Sequence, residues 1–300
     1  MRSIRSWAVE QILRRAGGKK TLTDEVRYLE YMKERQVENG KPYVLPEKWK
    51  NKFKIERLEM AGMDYYVFNQ ENEKPDKTIL YLHGGGYVDQ PLVYHWKFLN
   101  IIARQTHATI YVPVYPKAPN HQYQESFDKV LPLYEEILAK SDSSKLILMG
   151  DSAGGGFALA LAQLLLEKGI PQPKHIILLS PWLDISLENP DIQPLDAVDP
   201  TLGIYGLKSM GKAYAGDTNP NHYLVSPLNG EVRGLGKITL FVGTHEIFLP
   251  DARKFKQKAE DQGVRINYFE YPKMNHVFPL YPIPEAKKAT GEMVYIINSR

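Results

Sequence analysis

The chain has 300 residues, of which 43% are hydrophobic; this is enough for one large core and allows one domain or two. Its net charge of +3 is small and gives no argument for nucleic acid as a partner. The chain contains no cysteine, which excludes disulfides, thiolate nucleophiles and cysteine-ligated metals and fits a reducing compartment. We therefore expect a cytoplasmic protein with no metal or other cofactor.

The N-terminal region, residues 1–50, is expected to be helical and polar. It lacks the continuous apolar stretch of a signal peptide, and no segment of the chain is long and apolar enough to predict a membrane span. Its first twenty residues carry six basic side chains against Glu10, with Ile4 and Trp7 interspersed. This pattern favours a surface helix packed on the protein body. The alternatives are a weak anchor to an anionic membrane surface and a flap near a substrate entrance.

The rest of the chain alternates strands with helices. Residues 52–69 predict a hairpin that turns at Ala61 and Gly62. Short apolar runs then predict strands at 78–82, 108–114, 145–149, 175–180, 237–242 and 264–271. Helical patterns cover 92–105, 126–140, 154–168, 251–262 and 284–298.

Continuous apolar runs are typical of strands buried on both faces, and their alternation with helices predicts a parallel sheet. One connection is unusual, because more than fifty residues separate the strands ending near Ser180 and starting near Lys237. We expect an inserted lobe there, with a short helix at 201–215. The whole chain is interpreted as a single domain.

A Gly-x-Ser-x-Gly motif, GDSAG, occupies residues 150–154. It follows an apolar strand and precedes a helix, so it predicts a sharp strand-to-helix turn with Ser152 at its centre. Glycines at 150 and 154 let the neighbouring backbone pass without a Cβ clash. The alternative is a glycine-rich turn in which Asp151 or Ser152 merely caps the helix.

A second glycine motif, HGGG, occupies residues 83–86 directly after another buried strand. Consecutive glycines allow two peptide N–H groups to point at one atom. An acyl-transfer enzyme needs that arrangement, because its tetrahedral intermediate carries an oxyanion. The predicted donors are the N–H groups of Gly85 and Gly86, together with that of Ala153. We expect His83 to hold the loop rather than to act as a base. A phosphate loop is disfavoured, since no GxxxxGK[ST] pattern is present.

HGGG followed about 65 residues later by GDSAGG resembles the hormone-sensitive-lipase-like branch of the α/β-hydrolases. The segments 112–130, 180–186, 226–230 and 243–276 are also similar to that branch. The resemblance implies an eight-stranded, mostly parallel sheet flanked by helices, a helical cap formed by about 1–50 and 185–225, and esterase activity. Two positions depart from the pattern, because Lys117 and Asn120 replace the usual Leu and Glu of the Ala-Pro segment.

The nucleophile of such a site needs a base, and a histidine following Ser152 in the chain is expected. His276 lies in a loop just after the last predicted strand, where it would reach the top of the sheet. The other histidines after Ser152 are less suitable: His175 begins a strand, His222 lies in the inserted lobe, and the side chain of His245 is expected to point elsewhere.

The acid is expected after the strand at 237–242. Glu246 occupies the position, three residues after Gly243, where the related family has an aspartate. Asp251 is a rival whose place in the first turn of a helix already explains its charge. Asp184, after the preceding strand, is the second rival.

These residues predict a serine hydrolase that cleaves carboxylic esters of short to medium acyl chain through an acyl-enzyme. The partner is expected to be a small-molecule ester. An amidase or peptidase with the same triad, and a non-catalytic binding protein on the same fold, are the alternatives.

Overall fold

The computed structural model describes residues 2–70 and 75–299. One eight-stranded sheet, ordered β1-β2-β4-β3-β5-β6-β7-β8, forms its centre. Strands β1 and β2 form an antiparallel hairpin, β2 also pairs antiparallel with β4, and every other adjacent pair is parallel. This confirms the predicted mostly parallel α/β sheet. The strands are β1 Ile55–Met60, β2 Met63–Phe68, β3 Thr78–Leu82, β4 Thr109–Pro113, β5 Leu146–Asp151, β6 His175–Leu179, β7 Lys237–His245 and β8 Asn267–Asn275.

Helices cover both faces of the sheet, which explains why the central strands are apolar throughout rather than alternating. All residues of β3, β5 and β6 are buried. The core accordingly forms two clusters of buried side chains, one on each face. The described helices are α1 Ile4–Ala16, α2 Gly18–Thr23, α3 Glu25–Asn39, α4 Glu47–Phe53, α5 Val93–Thr106, α6 Tyr123–Lys140, α7 Ala153–Glu167, α8 Gln193–Asp196, α9 Ile204–Ala215, α10 Leu249–Asp261 and α11 Pro284–Asn298.

The last two strands run further than their apolar runs predict. β7 continues to His245 through an irregularity at Gly243, and β8 begins at Asn267 and ends at Asn275. Their pairing extends past the apolar segment because ladder hydrogen bonds do not require apolar side chains. As a result, Glu246 and His276 each follow directly after a strand end, at the same edge of the sheet.

The N-terminal helices pack against the segment inserted between β6 and β7. Lys19 forms an ion pair with Asp196 at 2.7 Å, and Arg14 donates to the Val198 carbonyl at 2.6 Å. Gly203 sits so close to α2 that a Cβ there would lie 2.8 Å from Thr23. The predicted helix at 201–215 is present as α9. Among the helices of the described residues, none combines the length and apolar character needed to cross a membrane.

Candidate active site

Ser152 lies at the sharp turn between β5 and α7. Its backbone adopts φ 53° and ψ −124°, a conformation that L-residues rarely adopt and that costs free energy. The flanking glycines are required by space: a Cβ on Gly150 would lie 2.2 Å from the Gly154 carbonyl oxygen, and a Cβ on Gly154 would lie 2.0 Å from that of Leu82. The motif therefore raises the Ser152 hydroxyl above the sheet, where it lines a cavity.

His276 reaches the Ser152 hydroxyl from the loop after β8. Its Nε2 lies 2.9 Å from Ser152 Oγ, and its Nδ1 lies 2.8 Å from Glu246 Oε2. A carboxylate accepts hydrogen bonds only, so Nδ1 carries the proton and donates it to Glu246. Nε2 is then left free to accept the Ser152 hydroxyl proton. The structure thus brings the three residues predicted from the sequence into one hydrogen-bonded chain.

Glu246 is completely buried and held by two further donors. The N–H of Gly243 donates to Oε1 at 2.6 Å, and the Ser180 hydroxyl donates to the same oxygen at 2.8 Å. Ser180 Oγ in turn accepts the Val277 N–H at 3.0 Å, so it links the carboxylate to the histidine loop. Sequence analysis assigned no role to Ser180, although its place between a strand end and Pro181 was a usable signal.

Opposing effects act on the pKa of His276. Burial disfavours the imidazolium and lowers the pKa, but the hydrogen bond and charge of Glu246 favour it. The more distant carboxylates of Asp199 and Asp151 act in the same direction as Glu246. The net result is a pKa above the ordinary histidine value.

The two rival carboxylates have partners elsewhere. Asp251 is fully buried in the first turn of α10, where its Oδ1 accepts a hydrogen bond from Asn189 at 2.9 Å. Burial raises the pKa of Asp251 to about 6. Asp184 accepts from the Ser186 N–H and the Ser226 hydroxyl. Among the carboxylates of the described residues, only Glu246 bonds to His276.

The remaining histidines considered for the base have other partners. His175 bonds to Thr239 Oγ1 at 2.7 Å, and burial lowers its pKa to about 4. His222 Nδ1 accepts the Leu224 N–H, away from the serine turn. His245 points to Glu10 of α1, with Nδ1 3.1 Å from the carboxylate, which agrees with the expectation that it points away from the acid.

The glycine loop after β3 lies against the serine turn. Gly85 and Gly86 have φ values of 117° and 61°, and both line the same cavity as Ser152. Within residues 2–70 and 75–299, no acceptor bonds to the N–H groups of Gly85, Gly86 or Ala153. These are the three donors that the sequence predicts for the oxyanion. His83 holds the loop as expected, with Nδ1 2.7 Å from the Gly84 carbonyl oxygen.

Asp151 ties the glycine loop to the serine turn, a contact that sequence reasoning missed. Its Oδ1 accepts the Gly84 N–H at 2.9 Å and the Tyr81 hydroxyl at 2.6 Å, while Oδ2 lies 3.3 Å from His95 Nε2. Burial alone would raise the pKa of Asp151, but these partners, with His95 the strongest, bring it below the ordinary value. The usable signal was the position of an acidic residue inside an otherwise apolar strand end.

The cavity above Ser152 has a volume of about 410 Å³ and a mostly apolar lining. One wall comes from the N-terminal helices, with Leu22 and Tyr31, and another from the insertion, with Leu207 and Met210. Asp199 joins the insertion to the acid loop, since its Oδ2 accepts the N–H of Ile247 at 3.0 Å. The described residues contain no cluster of three side chains suited to hold a metal ion.

Comparison with known proteins gives consistent matches. Residues 79–280 match the family described as alpha/beta hydrolase fold. An esterase of Acinetobacter venetianus is 32% identical over 227 residues, which cover 74% of this chain and 75% of that protein. In structure, a Staphylococcus aureus protein superposes with a TM-score of 0.88 at 31% identity, covering 93% and 94% of the two chains. An esterase of the bacterial hormone-sensitive lipase family superposes with a TM-score of 0.81 at 26% identity, covering 99% and 98%.

This chain therefore belongs to the α/β-hydrolase family. Within that family it falls in the hormone-sensitive-lipase-like branch, among enzymes of the carboxylesterase and lipase type.

Proposed function

We propose that this enzyme hydrolyses carboxylic esters of short to medium acyl chain through an acyl-enzyme formed on Ser152. The observation that carries the proposal is the continuous chain of hydrogen bonds from Glu246 through His276 to Ser152, at 2.8 and 2.9 Å. In each hydrogen bond of that chain the donor and the acceptor are arranged as proton transfer from serine to histidine requires. The ester substrate is a small molecule, in keeping with the 410 Å³ volume of the cavity above the serine.

In the acylation step, Ser152 Oγ attacks the ester carbonyl carbon while His276 Nε2 takes the hydroxyl proton. Glu246 stabilises the imidazolium formed and keeps its Nδ1 proton in place. The C–O bond of the tetrahedral intermediate then breaks, and His276 returns the proton to the leaving alcohol. In deacylation, a water molecule attacks the acyl carbonyl carbon while His276 takes its proton. The bond to Ser152 Oγ then breaks, His276 returns the proton to Ser152, and the carboxylic acid is released.

The N–H groups of Gly85, Gly86 and Ala153 are assigned as the donors that bind the negatively charged carbonyl oxygen of the tetrahedral intermediate. Their lack of an acceptor among the described residues supports this role, because donors that are fixed in advance stabilise developing charge without reorganising. Ala153 also begins α7, so the positive end of that helix dipole adds to the stabilisation.

The acyl-chain range is proposed from the covered cavity. Residues of about 1–50 and 185–225 form its outer walls and are interpreted as the cap of a single domain. We expect 4-nitrophenyl esters of about two to eight acyl carbons to be hydrolysed faster than the palmitoyl ester, because a cavity of 410 Å³ encloses only a limited ligand. A kcat/KM series from acetyl to palmitoyl measures this. A maximum at palmitate, or a preference for emulsified triglyceride, would contradict the proposed substrate range.

The pH dependence follows from the state of His276, which must be neutral to accept a proton. Its pKa is raised, so the acid limb of kcat/KM is expected to have its midpoint above about 6.5, the ordinary histidine value. Activity should be full above that midpoint and be lost as the pH falls through it. A profile of 4-nitrophenyl butyrate hydrolysis from pH 5 to 9 measures the limb; a midpoint well below 6.5 would argue against the Glu246–His276 pair.

The oxyanion assignment predicts a large loss from Gly85→Val. A Cβ at this position would lie 2.7 Å from Asp89 Cβ, and φ is 117°, so the loop must distort. We expect kcat to fall by about 100-fold or more, the scale of losing one donor. Gly169→Val is the matched control, because Gly169 also has a positive φ but has nothing within 4 Å of its Cβ position. If Gly85→Val folds and keeps kcat within about threefold, the loop does not bind the oxyanion.

Other expectations about partners and location remain predictions. Ile4 and Trp7 on α1 are 85% and 56% exposed, which is compatible with weak contact with an anionic membrane surface. A cytoplasmic location and the lack of a nucleic-acid partner rest on the sequence composition alone.

A further inference from the structure

A second cavity lies behind the glycine loop, on the side of α3 and β2. It has a volume of about 190 Å³, and none of its described lining residues also lines the cavity above Ser152. Lys117 forms part of its wall. This is the position where the resemblance leads one to expect leucine, so the cation is a particular feature of this chain.

Lys117 is buried, with only 3% of its surface exposed. Its Nζ donates one hydrogen bond, to the Tyr115 carbonyl oxygen at 2.6 Å, and lies 5.1 Å from the centre of the Tyr115 ring. An ammonium has three N–H donors, and the part of the chain that the structure describes supplies no second acceptor. Asp89 favours the charged form from a distance, but its carboxylate is bonded to Arg35 at 3.1 Å.

A buried ammonium without a counter-charge is unstable, so it must lose its proton or gain an anion. Burial lowers the pKa of Lys117 to about 7, with Asp89 opposing the shift. Near neutral pH the Lys117 amine is therefore close to the midpoint of its protonation, and an anion bound in the cavity would keep it charged.

The charged side chains that line the cavity favour the binding of an anion. Lys41 and Lys129 also line it, and neither they nor Lys117 forms an ion pair with any described residue. The carboxylate in the lining, Asp64, is bound by Arg57 through two hydrogen bonds of 3.0 and 2.7 Å. Three lysines that form no ion pair with a described residue thus line a small polar cavity.

We propose that this cavity binds a compact oxyanion, of the phosphate or the carboxylate type, through the Lys117 ammonium with support from Lys41 and Lys129. The anion would accept the two free N–H groups of Lys117, and the cavity is too small for an extended ligand. The site is separate from the ester site, so its existence does not depend on the proposed hydrolysis.

The experiment measures the melting temperature of the full chain at pH 6.5 and constant ionic strength, with increasing sulfate in one arm and increasing acetate in the other. Sulfate represents tetrahedral phosphate-like anions, and acetate represents carboxylates. We expect a saturable rise in melting temperature in one arm. Isothermal titration calorimetry with the same salts gives the dissociation constant.

Lys117→Met is expected to raise that dissociation constant by at least about tenfold, the effect of losing a hydrogen bond to a charged group. Lys129→Met should also weaken anion binding, and it leaves the buried Lys117 in place. This variant therefore tests the proposal if Lys117→Met fails to fold. Lys145→Met, an exposed lysine outside the cavity, is the matched control and should bind like the unmodified chain. No saturable shift in either arm, or equal affinity in the Lys117 and Lys145 variants, would overturn the proposal.

Discussion

Ser152→Ala is expected to abolish nearly all ester hydrolysis, with kcat reduced on the order of 10⁴- to 10⁶-fold. The hydroxyl is the atom that forms the acyl-enzyme, and no other described side chain occupies its place beside His276 Nε2. The melting temperature should stay unchanged or rise, because active sites commonly hold functional groups at a cost in stability. Initial rates with 4-nitrophenyl butyrate and a thermal scan of the same preparation measure both quantities.

Ser144→Ala provides the matched control. Ser144 is exposed and precedes β5 at the end of the strand opposite Ser152, so its hydroxyl lies far from His276. This variant should keep full activity. Undiminished turnover by Ser152→Ala would end the serine-hydrolase mechanism, whatever the stability result.

Glu246→Gln is expected to reduce kcat on the order of 10²- to 10⁴-fold. The Gly243 N–H and the Ser180 hydroxyl would keep the glutamine Oε1 as their acceptor, as they now hold the carboxylate. The amide NH₂ would then face His276 Nδ1, where a donor favours the tautomer with its proton on Nε2. That tautomer has no free lone pair on Nε2 for the Ser152 proton, so the base is lost while the packing is kept.

Asp251→Asn and Asp184→Asn are the controls, since both carboxylates are buried but neither bonds to His276. We expect both to keep kcat within about threefold. Loss of kcat in either, together with full kcat in Glu246→Gln, would show that the acid is misassigned. The melting temperatures of the three variants separate lost catalysis from lost folding.

The sheet could be predicted because its central strands are buried on both faces. Runs such as residues 78–82 and 175–180 contain little besides apolar side chains, and burial on both faces is the physical reason for that composition. The ends of β7 and β8 were misplaced by several residues, because their pairing past Gly243 depends on backbone hydrogen bonds and not on hydrophobicity. Apolar periodicity does not record such contacts.

The candidate site could be predicted where local geometry imposes a residue type. The glycines around Ser152 are required because a Cβ at either position would lie only 2.0 to 2.2 Å from a backbone carbonyl oxygen, so they appear in the sequence as a motif. The supporting contacts of Ser180 and Asp151 join residues 66 and 67 positions apart, and a single sequence carries no record of such distances. The burial of Asp251 was missed for the same reason: a place at a helix start accounts for its charge but does not reveal what packs over it.

Covalent labelling with a fluorophosphonate, followed by peptide mapping, tests the central proposal most directly. The reagent phosphonylates a serine hydroxyl only when a neighbouring base activates it, so it reports the nucleophile itself and does not depend on the choice of ester. We expect one label per chain, on the peptide containing Ser152, and none in Ser152→Ala. Labelling should also be much slower in Glu246→Gln. An unlabelled wild-type chain, or a label on a different serine, would contradict the assignment of Ser152 as the activated nucleophile.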